Sequence, residues 1–331
     1  AKLLDDAGIT DNRDLITELV TTSLNFGRGP AERLDLKIAA GALGELNMAY
    51  DAFVPFRDVR KLAIFGSART DTDSPLYELT NRLAHAIVQS GWMVITGAGP
   101  GIMKAGIDGA GANHSFGVGI RLPFEPAAPE SLAGDPKMVI FRYFFARKLT
   151  FVRESSGFAA LPGGLGTLDE VFELLTLLQT GKTVPAPLVL VDTPDGDFWS
   201  SWRSLIRERL ARDGYVSEND EDLFRIVTSE DEVVREMTTF YRNYHSVRFV
   251  QGQLVIRMRQ APSDGEIAVL ERAFSDSIAT GSMKKITATQ AEIDTDDVVD
   301  LDRITMHFNR KHWVRIRHLI DRLNAIESDR I

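Results

Sequence analysis

Between residues 61 and 244, short apolar runs alternate with stretches of helical periodicity, and no other feature restricts the fold so tightly. The expected strands are 62–65, 93–96, 117–120, 138–141, 158–161, 188–191 and 224–227. The intervening helices are expected at 75–89, 102–110, 144–154, 168–180, 199–212 and 230–244. This strand–helix rhythm predicts a Rossmann-like α/β fold, a parallel sheet with helices on both faces. Ligands of such sheets bind beyond the carboxyl ends of the strands.

Different patterns flank this region. Leu15, Ile16, Leu19 and Val20 recur at helical spacing until Gly27-Arg28-Gly29-Pro30 interrupts them. A second helix carries Leu34, Ile38, Leu43, Leu46 and Tyr50 and ends before Pro55. After Tyr244 come alternation over 247–259 around Gly252, a helix at 264–278, strands at 283–289 and 298–308, and an amphipathic helix at 313–326. The expected organisation is a helical preface (1–57), a Rossmann-like domain (58–244) and a small α+β domain (245–331).

Charge and composition narrow the partners. The net charge of −9 opposes binding to long polyanions, because a nucleic-acid binder needs excess Lys and Arg to displace counterions. A small anion in a local pocket remains compatible. The absence of cysteine excludes thiol catalysis, zinc–thiolate sites and disulfides, and suits a cytoplasmic protein. Residues Ala1 to Thr10 lack the basic start and apolar stretch of a signal peptide, and no run reaches membrane-spanning length. No membrane partner is expected.

The segment with most chemical content runs from Leu161 to Glu170 and includes Pro162, Gly163, Gly164, Leu165, Gly166 and Thr167. It joins an expected strand to an expected helix. A helix start leaves backbone N–H groups free and carries partial positive charge. Glycines there let a phosphate approach the backbone, and Thr167 can add a hydroxyl. Thr167 and Glu170 also fit a capping box, which needs no ligand. Three glycines and a proline within five positions exceed what a cap requires, so the phosphate reading is favoured.

A second cluster, Gly97-Ala98-Gly99-Pro100-Gly101, follows the strand at 93–96. The dinucleotide fingerprint fails there, because its third glycine falls on Ile102. Gly97 and Gly99, and likewise Gly66-Ser67 after the first strand, stay candidates for close nucleotide approach. Gly181-Lys182-Thr183 is not a P-loop, since Thr176 stands where the earlier glycine is required. Arg147 and Lys148 lie upstream of the Gly163 loop, where a guanidinium can pair with a phosphate or carboxylate. No H-E-x-x-H or G-x-S-x-G pattern occurs, and no metal site is expected.

These motifs together resemble the Lonely Guy family, the cytokinin riboside 5′-monophosphate phosphoribohydrolases, often mislabelled lysine decarboxylases. The family pattern P-G-G-x-G-T-x-x-E matches Pro162 to Glu170, and its Arg-Lys pair matches Arg147-Lys148. Gly66-Ser67-Ala68, Thr96 to Met103 and Leu122 to Glu125 also fit, so the resemblance covers roughly residues 61 to 244. It implies hydrolysis of the N-glycosidic bond of a nucleoside 5′-monophosphate to free base and ribose 5-phosphate. It implies Arg147 and Glu170 as the catalytic pair. Nucleotide contacts are implied from Glu125, Lys148, Gly164 to Thr167 and Thr176. It further implies a homodimer or higher oligomer and no cofactor.

Two positions depart from the pattern: Ala98 replaces a usual glycine, and Ser156 stands where many members have Asp. The base stays open among purine, pyrimidine and cytokinin types. A non-catalytic nucleotide or phosphorylated-cofactor carrier is the alternative. A pyridoxal-phosphate decarboxylase is disfavoured, because no lysine stands in a suitable context.

Overall fold

The computed structural model describes residues 2–122 and 129–328. The chain divides into two compact units, Ala1–Asp51 and Ala52–Ile331. The first holds α1 (Lys2–Asp6), α2 (Arg13–Arg28) and most of α3 (Arg33–Phe53). The apolar stripe of α2 forms as expected, yet none of its side chains is buried, and Leu15 and Leu19 are exposed.

In the second unit, seven strands alternate with helices. They are β1 (Lys61–Phe65), α4 (Pro75–Gln89), β2 (Met93–Thr96), α5 (Ile102–Ala110), β3 (Ser115–Ile120), β4 (Met138–Phe141), α6 (Phe144–Glu154), β5 (Gly157–Ala160), α7 (Leu165–Thr180), β6 (Leu188–Val191), α8 (Phe198–Leu205), β7 (Arg225–Val227) and α9 (Glu230–Phe240). All seven strands pair parallel, in the order β4-β3-β2-β1-β5-β6-β7. Every residue of β1 is buried although successive side chains point to opposite faces, so helices cover both sides. Strand order reverses between β1 and β5, and the loops leaving those two strands diverge there. Such a crevice is where an open α/β sheet accepts a ligand.

On one face α4 lies against α5 and α9. The approach of α4 and α5 is so close that a Cβ at Gly109 would fall on the backbone of Asn81. Gly109→Ala is therefore expected to cost about 2 kcal/mol, since neither backbone can yield as a side chain would. A fall in the denaturant midpoint with unchanged slope checks this; an unmoved midpoint would contradict the packing.

Beyond α9 lies an antiparallel sheet ordered β10-β11-β9-β8. Its elements are β8 (Tyr244–Val250), β9 (Gln253–Met258), α10 (Asp264–Ala273), β10 (Ile278–Ile286), α11 (Gln290–Ile293), β11 (Asp302–Phe308) and α12 (Val314–Ser328). Gln251 and Gly252, both at positive φ, close the β8–β9 hairpin in the geometry that matches strand twist. One apolar core runs from Ile64 and Val189 through Met237 and Phe240 to Ile256, Ile304 and Leu319.

Sequence periodicity missed α11 and started β11 four residues early. The cause is Arg303, fully buried, which binds Glu292 and donates to the carbonyls of Val298 and Val299. Residues 298–301 therefore curl around a guanidinium instead of extending. No helix among the described residues is long and apolar enough to cross a membrane.

Candidate active site

A cavity of about 760 Å³ opens at the carboxyl ends of the central strands. Gly66 to Arg69 after β1, Gly97 to Gly99 after β2, and Gly164 to Thr167 at the start of α7 contribute to its walls, together with Arg147 of α6 and Glu170 of α7. The loops after β1 and β5 are tied together by the Ser67 amide, which donates to the Pro162 carbonyl at 3.3 Å. The amide of Ile102 in turn donates to the Ser67 carbonyl at 3.0 Å. The strand-reversal crevice is thus a built structure with cross-braced walls.

The start of α7 excludes the capping reading of Thr167 and Glu170. The N-cap is Gly164, the helix begins at Leu165, and no side chain caps it. Thr167 and Glu170 are therefore inside the helix, and they form no capping box. The first helical bond to Gly164 comes from the Leu168 amide, so those of Leu165, Gly166 and Thr167 have no acceptor within the helix. The Thr167 hydroxyl makes no hydrogen bond among the described residues. A Cβ at Gly164 or Gly166 would meet nothing within 4 Å, so protein packing does not demand glycine there. The space those side chains would fill lies open beside unpaired donors.

Other glycines of the site are explained by the protein itself. A Cβ at Gly97 would collide with the Arg147 guanidinium and the Met103 sulfur, and one at Gly99 with the Met103 methyl. Gly163 leaves room for the Thr167 side chain. Ala98 has a φ of 56°, a left-handed conformation that glycine adopts without strain. Ser156 lies before β5, at the amino end of the strand and away from the cavity.

Arg147 donates from Nε to the Val118 carbonyl of β3 at 2.8 Å, and its guanidinium carbon lies 5.4 Å from the centre of the Phe151 ring. Burial lowers its pKa, and the nearby Glu170 opposes that shift. Glu170 is only 8% exposed. Burial raises its pKa to about 7, against the pull of Lys148 and Arg147. Its carboxylate accepts no hydrogen bond among the described residues, and its nearest ion-pair contact is the Lys148 ammonium at 4.0 Å. Lys148 is committed elsewhere, to Asp169 at 2.8 Å and to Glu173. Burial works against its charge, but those carboxylates outweigh it and raise the lysine's pKa. Among the described residues no group of His, Asp and Glu could hold a metal ion.

Of the residues singled out from sequence, Gly66, Ser67, Gly97, Gly99, Arg147, Gly164, Leu165, Gly166, Thr167 and Glu170 border the cavity. Gly163 and Lys148 are not among the residues that line it. Thr176 is exposed further along α7, and its hydroxyl donates to the Phe172 carbonyl at 2.8 Å. Glu125 lies outside the described residues. Arg69, Met103, Phe144 and Phe151 also line the cavity and were not read from the sequence. Phe144 and Phe151 stand three residues before and four after Arg147, so helical spacing around that arginine would have found them.

A family profile described as "Possible lysine decarboxylase" matches residues 101–237. A cytokinin riboside 5′-monophosphate phosphoribohydrolase of Mycobacterium marinum is 28% identical over 170 residues, 51% of this chain and 88% of that one. The enzyme of the same name from Mycobacterium tuberculosis is 31% identical over 170 residues, again 51% and 88% of the two chains. The chain belongs to the cytokinin riboside 5′-monophosphate phosphoribohydrolase family. Among solved structures, the molybdenum cofactor binding protein from Rippkaea orientalis aligns with a TM-score of 0.38 and 20% identity, over 54% of this chain and 94% of that one. About half of this family member therefore lies outside the aligned region of its mycobacterial relatives.

Proposed function

We propose that the protein hydrolyses the N-glycosidic bond of nucleoside 5′-monophosphates, giving free base and ribose 5-phosphate. The observation that carries this reading is the set of unpaired polar groups facing one cavity. They are the amides of Leu165 to Thr167, the Thr167 hydroxyl and the buried Glu170 carboxyl. Leu165 and Gly166 are exposed at a helix start, where free amides form an anion site. They stand beside the buried carboxyl of Glu170, an acid–base group that accepts no hydrogen bond among the described residues. Family membership supports the same substrate class.

In this reading the 5′-phosphate sits at the α7 N-terminus, where free amides and the helix dipole favour an anion. Met103, Leu122 and Phe144 offer an apolar wall to the planar base. Cleavage of the C–N bond sends its electron pair to the base and builds positive charge on the ribose ring. The Glu170 carboxylate stabilises that charge and takes a proton from the attacking water, whose oxygen bonds to the anomeric carbon, and that proton is passed on to the departing base so that it leaves neutral. Arg147, fixed by the Val118 carbonyl, positions the nucleotide next to Glu170. A base of pKa near 7 is well matched to this task at neutral pH. Lys148 holds Asp169 and Glu173, whose charges would otherwise drive the Glu170 pKa higher still.

Incubation with AMP, GMP, CMP, UMP and a cytokinin riboside monophosphate, followed by chromatography for free base, tests the activity and ranks the bases. Tight binding with no base released from any of them would favour a carrier and end the hydrolase reading. The pH profile is a second test. Glu170 acts ionised, and its pKa is about 7. Below that value kcat/KM is expected to fall about tenfold per pH unit, and above it to level off. A flat profile from pH 5 to 8, roughly the span needed, would remove Glu170 from the mechanism.

A further inference from the structure

Two arginines line the cavity, Arg69 and Arg147. Arg147 is tethered to Val118 and sits beside Glu170. Lys148, which does not line the cavity, is held by Asp169 and Glu173. Arg69 differs from both: its side chain is exposed and makes no hydrogen bond or ion pair among the described residues. Its backbone is nonetheless fixed, because the Arg69 amide donates to the Ser67 hydroxyl oxygen at 3.1 Å. Ser67 is in turn bonded to the loop that opens α7. An uncommitted guanidinium thus springs from a braced loop next to the free amides of Leu165 to Thr167.

Charge balance gives that arginine a task. A nucleotide 5′-phosphate carries nearly two negative charges at neutral pH. The α7 N-terminus supplies about half a unit of positive charge. Glu170, a few residues along the same helix, adds negative charge as it ionises. Arg147 offsets the Glu170 charge beside it, so without another cation most of the phosphate charge stays unmatched. Arg69 is the cation on the cavity wall with no carboxylate to satisfy, and its planar fork suits two phosphate oxygens at once.

We propose that Arg69 is the phosphate clamp of this site and makes it selective for phosphorylated over unphosphorylated ribosides. The proposal rests on the nucleotide-hydrolase reading and extends it to a residue that also borders a second groove. That groove, about 620 Å³, is lined by Asp71, Asp73 and Lys104 as well. Lys104 is bound to Asp108, and neither Asp71 nor Asp73 pairs with Arg69 among the described residues.

Calorimetric titration with ribose 5-phosphate and with ribose separates these roles. Arg69→Ala should weaken ribose 5-phosphate binding about tenfold at low salt and leave ribose binding unchanged. Arg69→Lys should recover part of the loss, because it restores the charge but not the fork. The difference between wild type and Arg69→Ala should shrink as salt rises, as for any exposed charge contact. In turnover, the alanine variant should raise KM for a nucleoside monophosphate with kcat nearly unchanged. Equal ribose 5-phosphate affinity in wild type and Arg69→Ala, with wild type still releasing base, would overturn the clamp alone. Wild type that neither binds ribose 5-phosphate nor releases base would overturn both the clamp and the hydrolase reading.

Discussion

Glu170→Gln is expected to lower kcat about 10³-fold while making the protein more stable above pH 7. The two effects share one cause. The carboxyl has a pKa of about 7 in the fold, against an ordinary value of 4.5. Below pH 4.5 it is protonated in both folded and unfolded chains and imposes no penalty. As pH rises from 4.5 to 7 the unfolded state gains more from ionisation than the folded state, so stability is lost. Above pH 7 the loss is complete, and 2.5 pKa units correspond to about 3 kcal/mol. Glutamine has the shape of the acid and never pays the ionisation cost. Thermal melts of both proteins near pH 4 and pH 8 should therefore nearly coincide at the lower pH and separate at the higher. A variant that keeps wild-type turnover would show that Glu170 is not the reacting carboxylate. One that is inactive but equally stable at both pH values would show that its burial has been misread.

Gly163→Ala should reduce kcat/KM about 10²-fold, with Gly164→Ala as the comparison that leaves the loop in place. A Cβ at Gly163 would overlap the Thr167 hydroxyl, lie 2.8 Å from the Thr167 Cβ and 3.0 Å from the Ser67 amide nitrogen. To relieve those contacts the loop must move away from both α7 and the β1 loop, and the phosphate donors move with it. A Cβ at Gly164 meets no protein atom within 4 Å. Its alanine variant should melt like wild type and lose only ligand affinity, because the methyl group enters the space assigned to phosphate. Equal melting and equal ribose 5-phosphate affinity in wild type and Gly164→Ala would mean that the open space beside α7 is not the phosphate site.

The central sheet was legible because its signal is local. Strands such as Met93–Thr96 and Leu188–Val191 are short apolar runs framed by turn residues, and their helices carry ordinary 3.6-residue periodicity. The glycine loop was legible for the same reason: one contiguous segment both turns the chain and exposes amides. Reading stopped where a long-range contact overrode local pattern. Buried Arg303 recruits the carbonyls of 298 and 299, so an apparent strand becomes a loop. Arg69 carries no local mark that separates it from any surface arginine.

The succession of strands and helices along the chain, the glycine-rich turns after β1, β2 and β5, and the residue types available for phosphate and carboxylate chemistry were set by residue pattern alone, because each depends on neighbours within a few positions, whereas the crevice between β1 and β5 follows from the spatial order of the strands. Folding in three dimensions decided the rest. Whether Glu170 caps a helix or stands unpaired in a cavity depends on where α7 begins, and its pKa depends on burial by distant segments. Which glycines serve protein packing and which leave room for a ligand depends on what lies opposite each missing side chain. These are properties of surroundings brought together across the chain, and no stretch of sequence contains them.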